Sequence, residues 1–320
     1  PDSFFRYLYF LTLPFRLFKY LETEKIDTLL SFDTIPNLMS CLIPYLSRKI
    51  KIIARVSSLP SVRFSQNKLK NGIYRLLIKQ LYPKAHQIIG NTHSIQADLR
   101  KNFGLNNNIS VLYNPIDLSS IAIKKVSNLP KRTFTFLQVA NFYSVKNHQL
   151  SIQAFAQIAH LNCQLCFVGK GSMETTIKAT VERLGLHEKV HFLGYQPNPH
   201  QFMATADCLL LTSDYEGLPN VLIEALACHL PIISTDCPSG PREILAPNTD
   251  FHHQITDDIE IAEYGILTPV GNAALLAKAM QRMMTDDALG QQYRAKARKR
   301  AEDFAVEKIV AQYREVLDMD

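Results

Sequence analysis

Six short apolar and β-branched runs, separated by longer amphipathic stretches, fill residues 134–269. The runs are FTFLQVA (134–140), CQLCFVG (163–169), VHFLG (190–194), CLLLTS (208–213), PIISTD (231–236) and YGILTP (264–269). Between them lie stretches such as NHQLSIQAFAQIAH (147–160) and SMETTIKATVERLGL (172–186), with apolar residues at helical spacing. A continuously apolar strand is buried on both faces, and strand–helix alternation supplies the helices that cover it. The segment is therefore expected to form a doubly wound α/β domain on a parallel sheet. Three helical stretches, LLAKAMQRMM, ALGQQYRAKARKRAEDF and AVEKIVAQYREVL, close the chain.

The first part repeats the alternation on a smaller scale, with β-rich runs at 28–32, 51–55, 87–91 and 109–112. Helical stretches cover 67–82 and 94–103, the second with Ser94 where an N-cap belongs and Gly104 just past its end. Four strands make a thin sheet, so this domain is expected to lack an opening strand–helix–strand unit. At 320 residues the chain exceeds an average single core. The expected division is 1–129, 130–300, and a terminal helix at 301–320 crossing back to the first domain, with the polar, proline-marked 114–132 as linker.

Charge separates the halves. Residues 1–130 carry 18 Lys and Arg against 7 Asp and Glu, residues 131–320 carry 17 against 22. A basic half favours an anionic partner such as phospholipid head groups or a phosphorylated substrate. No run is long and apolar enough to span a bilayer. The greasiest, Phe4–Tyr20, is broken by Arg6, Pro14, Arg16 and Lys19 and has no cleavage site, so it is no signal peptide. It suits a membrane-surface helix or a buried domain helix equally. Six scattered cysteines in apolar surroundings suit reduced thiols in the cytoplasm; Cys163 and Cys166 sit in a strand without a second ligand pair. His252 and His253 lie in a polar loop, and RAKARKR (294–300) reads as a solvated helix face, so neither metal nor nucleic acid is expected.

The stretch EGLPNVLIEALACHLPIISTDCPSGPREIL (216–245) carries the chemistry. Ligands of such sheets bind beyond the carboxyl ends of strands, where loops enter helices. Glu216 and Gly217 lie in such a loop after CLLLTS. Pro219 suits the first helical position, and backbone donors near Leu218, Asn220 and Val221 then face outward at the positive helix end. Glu224 follows about 1.5 turns inside. A molecule with a central diphosphate and a hydroxyl-bearing sugar at each end matches this spacing, since ionised carboxylates accept hydrogen bonds from vicinal diols. A nucleotide sugar is such a molecule.

The pair Glu216–Glu224, in E-x7-E spacing within this stretch, resembles the signature of family 4 retaining glycosyltransferases of the GT-B fold. VANFYSVKNHQLSIQAFA resembles that family's phosphate-contacting loop, with Lys146 at the lysine position. FVGKGSMETTI, containing Gly169, Lys170 and Gly171, and VHFLGY, containing Phe192, resemble the loops lining the base and phosphate pocket, and VLYNPID the approach to the linker. The resemblance implies two Rossmann-like domains facing across a cleft. It places Glu216 beside the donor sugar, Glu224 on the ribose and Lys146 against the departing diphosphate. It implies metal-independent transfer from a nucleotide diphosphate sugar, UDP first, to a saccharide or lipid-linked saccharide acceptor in surface-polysaccharide assembly. No cofactor is implied, and the expected location is the inner face of the cytoplasmic membrane.

The sequence departs from the family at three places: Asn141 stands where an arginine is usual, His229 stands before PIIS in place of glycine, and the glycine-rich first loop is missing. Arg242 is a candidate for the phosphate side or for a structural salt bridge, and Arg55, closing KIIAR, is the first domain's candidate for the cleft. The alternative function is a truncated, non-catalytic chain that binds nucleotide sugar or a partner enzyme.

Overall fold

The computed structural model describes residues 2–63, 68–106, 108–121 and 133–317, with the side chains of 2–11 and of Lys68 left out. The chain divides into two compact units, Pro1–Tyr113 and Asn114–Asp320. This division lies sixteen residues ahead of the expected 129/130 boundary. Past Tyr113 the chain already belongs to the second unit: Asn114 bonds to Asn220, and Ile116 bridges to Ala305. The rest of the expected linker, 122–132, lies outside the described residues.

In the first unit the elements are α1 (Asp2–Thr23), β1 (Thr28–Phe32), α2 (Thr34–Ser40), β2 (Lys51–Val56) and α3 (Pro60–Arg63). They continue with α4 (Lys68–Leu81), β3 (Gln87–Gly90), α5 (His93–Phe103) and β4 (Ile109–Val111). The four strands pair in chain order, all parallel. Ile52, Ile53, Ala54, Ile88 and Ile89 are fully buried, which is why these runs read as uninterrupted apolar stretches. The cap of α5 is Thr92, not Ser94: its extended backbone lets the hydroxyl accept from Ile95 N–H at 3.1 Å, whereas Ser94 is already helical. Gly104 closes the helix in the left-handed conformation, as expected (φ 67°). In α1, Leu17, Phe18 and Leu21 pack on the core while Phe15 and Tyr20 face solvent; the side chains of Phe4–Leu11 lie outside the described residues. Among the described residues no helix is long and apolar enough to cross a membrane.

The second unit runs β5 (Phe134–Val139), α6 (His148–Ile158), β6 (Cys163–Val168), α7 (Glu174–Arg183), β7 (Val190–Phe192) and α8 (His200–Met203). Then follow β8 (Cys208–Leu211), α9 (Asn220–Ala227), β9 (Ile232–Thr235), α10 (Pro241–Leu245), β10 (Glu260–Ile261) and β11 (Ile266–Thr268). Helices α11 (Ala273–Thr285), α12 (Asp287–Ala301) and α13 (Val306–Leu317) complete it. The sheet order is β10-β11-β9-β8-β5-β6-β7. All six expected strands are present and parallel. The seventh, β10, is antiparallel and only two residues long, too short to show any period in the sequence. The chain starts in the middle at β5, winds out to β7, then crosses to β8 on the other side, so the winding reverses between β5 and β8. Neighbouring strands there send their following loops apart and leave a crevice at their carboxyl ends.

Candidate active site

Lys146 and Glu216 come from the two loops that flank this reversal. Lys146 ends a short 3-10 turn, Ser144–Lys146, after β5, and Glu216 lies in the loop from β8 to α9. Seventy residues apart in sequence, they pair with Nζ 2.6 Å from Oε1, and the same carboxylate oxygen accepts from Ser213 Oγ at 2.6 Å. The pair is half-screened from solvent, with 26% of the Lys146 side chain and 10% of the Glu216 side chain exposed.

Backbone carbonyls hold the lysine turn in place. Thr212 Oγ1 lies 3.0 Å from Lys146 O and 3.1 Å from Asn147 O, and Gln138 Nε2 donates to Lys146 O at 3.2 Å. Gln138 is itself fixed by Ser151, whose hydroxyl donates to its Oε1. Asn147 caps α6 by accepting from Leu150 N–H and donates from Nδ2 to Asp214 Oδ1, and Asp214 N–H donates to Val145 O. The two loops are thus one hydrogen-bonded body. Below it, burial pushes the Cys237 thiol well up, with the Glu216 charge acting in the same direction, so this cysteine is an inert thiol.

The loop carrying Glu216 and Gly217 is pressed against 238–240. Glu216 N–H donates to Pro238 O, and a Cβ on Gly240 (φ 92°) would sit 2.2 Å from Gly217 O. Pro219 is the N-cap of α9 and not its first helical residue, because its ψ of 96° is still extended. Leu218 and Pro219 are buried, Val221 half-buried and Asn220 exposed, where its Oδ1 accepts from Asn114 Nδ2. Glu224 stands further along α9, its Oε2 3.6 Å from His200 Nε2 on α8. The two acids of the motif therefore have separate neighbours: Lys146 and Ser213 for one, His200 for the other. His229 takes the left-handed conformation that the missing glycine would have supplied (φ 57°). With Leu230 N–H bonded to Ala225 O, α9 ends as a glycine-terminated helix does.

Beside Lys146 a second loop pair interlocks. Phe142 N–H donates to Lys170 O and Met173 N–H to Phe142 O, while Asn141 is exposed at the loop tip. A Cβ on Gly169 (φ 149°) would meet Ala140 O at 2.0 Å, and one on Gly171 would meet Phe142 O at 2.6 Å, so both positions need glycine. Lys170 Nζ lies 4.8 Å over the Tyr195 ring. Phe192 is half-buried and packs with Phe142 and Phe167. His148, first residue of α6, is buried between Phe142 (centroids 4.5 Å, stacked) and Phe167 (5.4 Å), with the Ala140 backbone as its polar neighbour. Burial, with the Lys146 charge adding to it, pushes its pKa down to about 4.

Two further expected site residues have side-chain partners within their own units. Arg242 is buried in an ion-pair network, its Nη2 2.7 Å from Asp236 Oδ2 and 2.8 Å from Glu260 Oε2, with Thr249 on Nη1. Its donors are directed at two carboxylates and a hydroxyl, the geometry of the salt-bridge alternative. Arg55 closes β2 in the first unit, where it donates to Ser57 Oγ and lies 5.4 Å over Phe32. RAKARKR is not a simple solvated face either: Arg294, Arg298 and Arg300 donate to the carbonyls of Asp207, Ala227 and Ile244. All six cysteines are free and buried. Among the described residues no cluster of three or more His, Cys, Asp or Glu gathers as a metal site. Sequence reasoning missed Ser213, Thr212, Gln138 and His200. The signal for the first three was polarity inside or just beyond apolar strands, where a polar group needs a partner.

A cation and a carboxylate thus meet at the switch point of a parallel α/β sheet, the place where ligands of such sheets bind. Comparison with known proteins narrows this. Residues 119–301 match the family described as glycosyl transferases group 1, and residues 1–120 match glycosyltransferase family 4. The chain belongs to these glycosyltransferases. Over 306 residues it is 33% identical to N-acetylgalactosamine-N,N'-diacetylbacillosaminyl-diphospho-undecaprenol 4-alpha-N-acetylgalactosaminyltransferase of Campylobacter jejuni, covering 94% of this chain and 80% of that one. It is 26% identical to N-acetyl-alpha-D-glucosaminyl L-malate synthase of Bacillus anthracis, covering 95% and 78%. Among solved structures it resembles Anabaena HepE in complex with UDP (TM-score 0.78, 19% identity, 96% of this chain and 82% of that one). It also resembles sucrose-phosphate synthase of Thermosynechococcus elongatus (TM-score 0.81, 21%, 98% and 80%). The fold is GT-B.

Proposed function

We propose that this glycosyltransferase moves a hexose or N-acetylhexosamine, with retention of configuration, from a UDP-sugar to a hydroxyl of a lipid-linked saccharide. The product is a surface polysaccharide such as capsule or O-antigen, and the enzyme works peripherally at the cytoplasmic face of the membrane. The observation that carries the reading is the Lys146–Glu216 pair across the β5/β8 switch point. The Campylobacter relative, named for a diphospho-undecaprenol-linked acceptor, supports the lipid-linked substrate, and HepE, solved with UDP, supports the nucleotide.

In this reading the diphosphate lies at the N-terminus of α9, where unpaired backbone donors and the helix dipole favour negative charge. The Lys146 ammonium meets the charge that builds on the leaving diphosphate, so transfer needs no metal. Glu216 contacts the transferred sugar, and Glu224 the ribose. Gly169 and Gly171 hold the neighbouring loop close enough for its backbone to line the same pocket. The test is calorimetric titration with a panel of nucleoside diphosphates, paired with a transfer assay on short lipid-diphosphate acceptors. Preference for UDP together with turnover supports the proposal. Binding without turnover indicates a non-catalytic donor-binding chain, and binding of no nucleoside diphosphate refutes it.

A further inference from the structure

We infer that the outward face of α4, with the groove beside it, is the surface by which the first unit docks on anionic phospholipid. Leu69, Ile73, Leu76 and Leu77 are exposed by 75%, 50%, 60% and 37%. At 100° per residue they fall within an arc of about 100°, opposite the buried Ile78. A helix normally turns such a stripe to the core; here the stripe faces water, as in a helix that lies in a membrane interface. Lys70 and Lys79 project from the two margins of the stripe, both exposed.

The stripe borders a groove of about 620 Å³ between α2 and α4, lined by Ile35, Met39, Ile73 and Leu77 among others. Both walls run on in sequence into a smaller pocket of about 300 Å³ that gathers Arg48, Lys84 and His86. An apolar groove whose walls continue in sequence into a pocket with Arg48 and Lys84 suits a molecule with apolar chains and an anionic head.

Charge selects the occupant. Residues 34–97 hold ten Lys and Arg and no Asp or Glu at all. A second copy presenting the same basic surface would be repelled, and a nucleic acid has no use for four exposed aliphatic side chains. A leaflet of anionic lipid satisfies both features, head groups meeting the lysines and acyl chains the stripe. The inference rests on the membrane part of the proposed function and identifies the surface responsible.

The chain contains no tryptophan, so Leu76→Trp gives a single probe, and Leu184→Trp on an exposed position of the second unit gives its control. Both are mixed with vesicles of phosphatidylglycerol and phosphatidylcholine, or of phosphatidylcholine alone, and flotation, emission and quenching by brominated lipid are read. The expected result is flotation with the anionic vesicles, with blue-shifted and quenched emission from Leu76→Trp only. The double change Lys70→Gln/Lys79→Gln should lower partitioning about thirtyfold, roughly fivefold per charge. Flotation with Leu76→Trp still water-exposed overturns this surface alone. Failure of the parent to float overturns the membrane reading with it. A blue shift that grows with protein concentration and no lipid, or one produced by duplex nucleic acid, overturns the assignment in favour of that partner. Transfer to a water-soluble short-chain acceptor, measured on the parent protein, tests the enzymatic reading independently.

Discussion

Replacing Lys146 with alanine removes the only side-chain cation that the structure places on Glu216 among the described residues. The ion pair is short at 2.6 Å, but 26% of the lysine side chain is open to water, which screens the attraction. Glu216 keeps the Ser213 hydroxyl and becomes a largely buried carboxylate short of one partner. A loss of about 1–3 kcal/mol is expected, the cost of an under-satisfied buried group. For a unit of this size that lowers Tm by about 2–12 °C. Catalysis should suffer more: taking away one preorganised positive group at a site of developing negative charge costs about 10²–10³ in kcat. The double change Lys146→Ala/Glu216→Ala separates the two effects. With both charges gone the stability loss should shrink below that of Lys146→Ala, while transfer stays as low or falls further. Melting curves and initial rates at saturating donor measure both quantities. Turnover within tenfold of the parent for folded Lys146→Ala, or a double variant that regains activity along with stability, would refute the reasoning.

Three further outcomes follow from the geometry. His148 has a folded pKa of about 4, below its ordinary value near 6.5, so between those values the unfolded chain binds a proton that the folded chain rejects. Stability should therefore fall as pH drops through this window, by up to about 1.4 kcal/mol per pH unit. Melting curves of His148→Phe over pH 7.5–4.5 should show a shallower decline, and an identical slope would remove His148 as the cause. Gly169→Ala should destabilise by more than about 2 kcal/mol, because its Cβ would sit 2.0 Å from Ala140 O at a φ of 149°; chemical denaturation reads this directly. Arg242→Met should cost about 3–5 kcal/mol by stranding Asp236 and Glu260, and any folded protein should keep its affinity for nucleoside diphosphate; lost affinity at unchanged stability would return Arg242 to the phosphate side.

The sequence alone determined every strand but β10, and the longer helices, because burial on two faces or along one stripe writes a period into neighbouring residues. It also determined that Glu216 and Glu224 bracket the start of one helix, and that Gly104 ends another. Tertiary structure decided which distant groups meet. Lys146 reaches Glu216 only because β5 and β8 are neighbours, though β6 and β7 separate them in the chain. Arg242 was legible as a cation at a helix start, yet its partners depend on β10 folding back along β11 to deliver Glu260. His200 gave no signal, since nothing local to α8 says that α9 brings Glu224 to within 3.6 Å. Local period is a property of adjacent residues, whereas pairing across a sheet depends on strand order, which no short window of sequence contains.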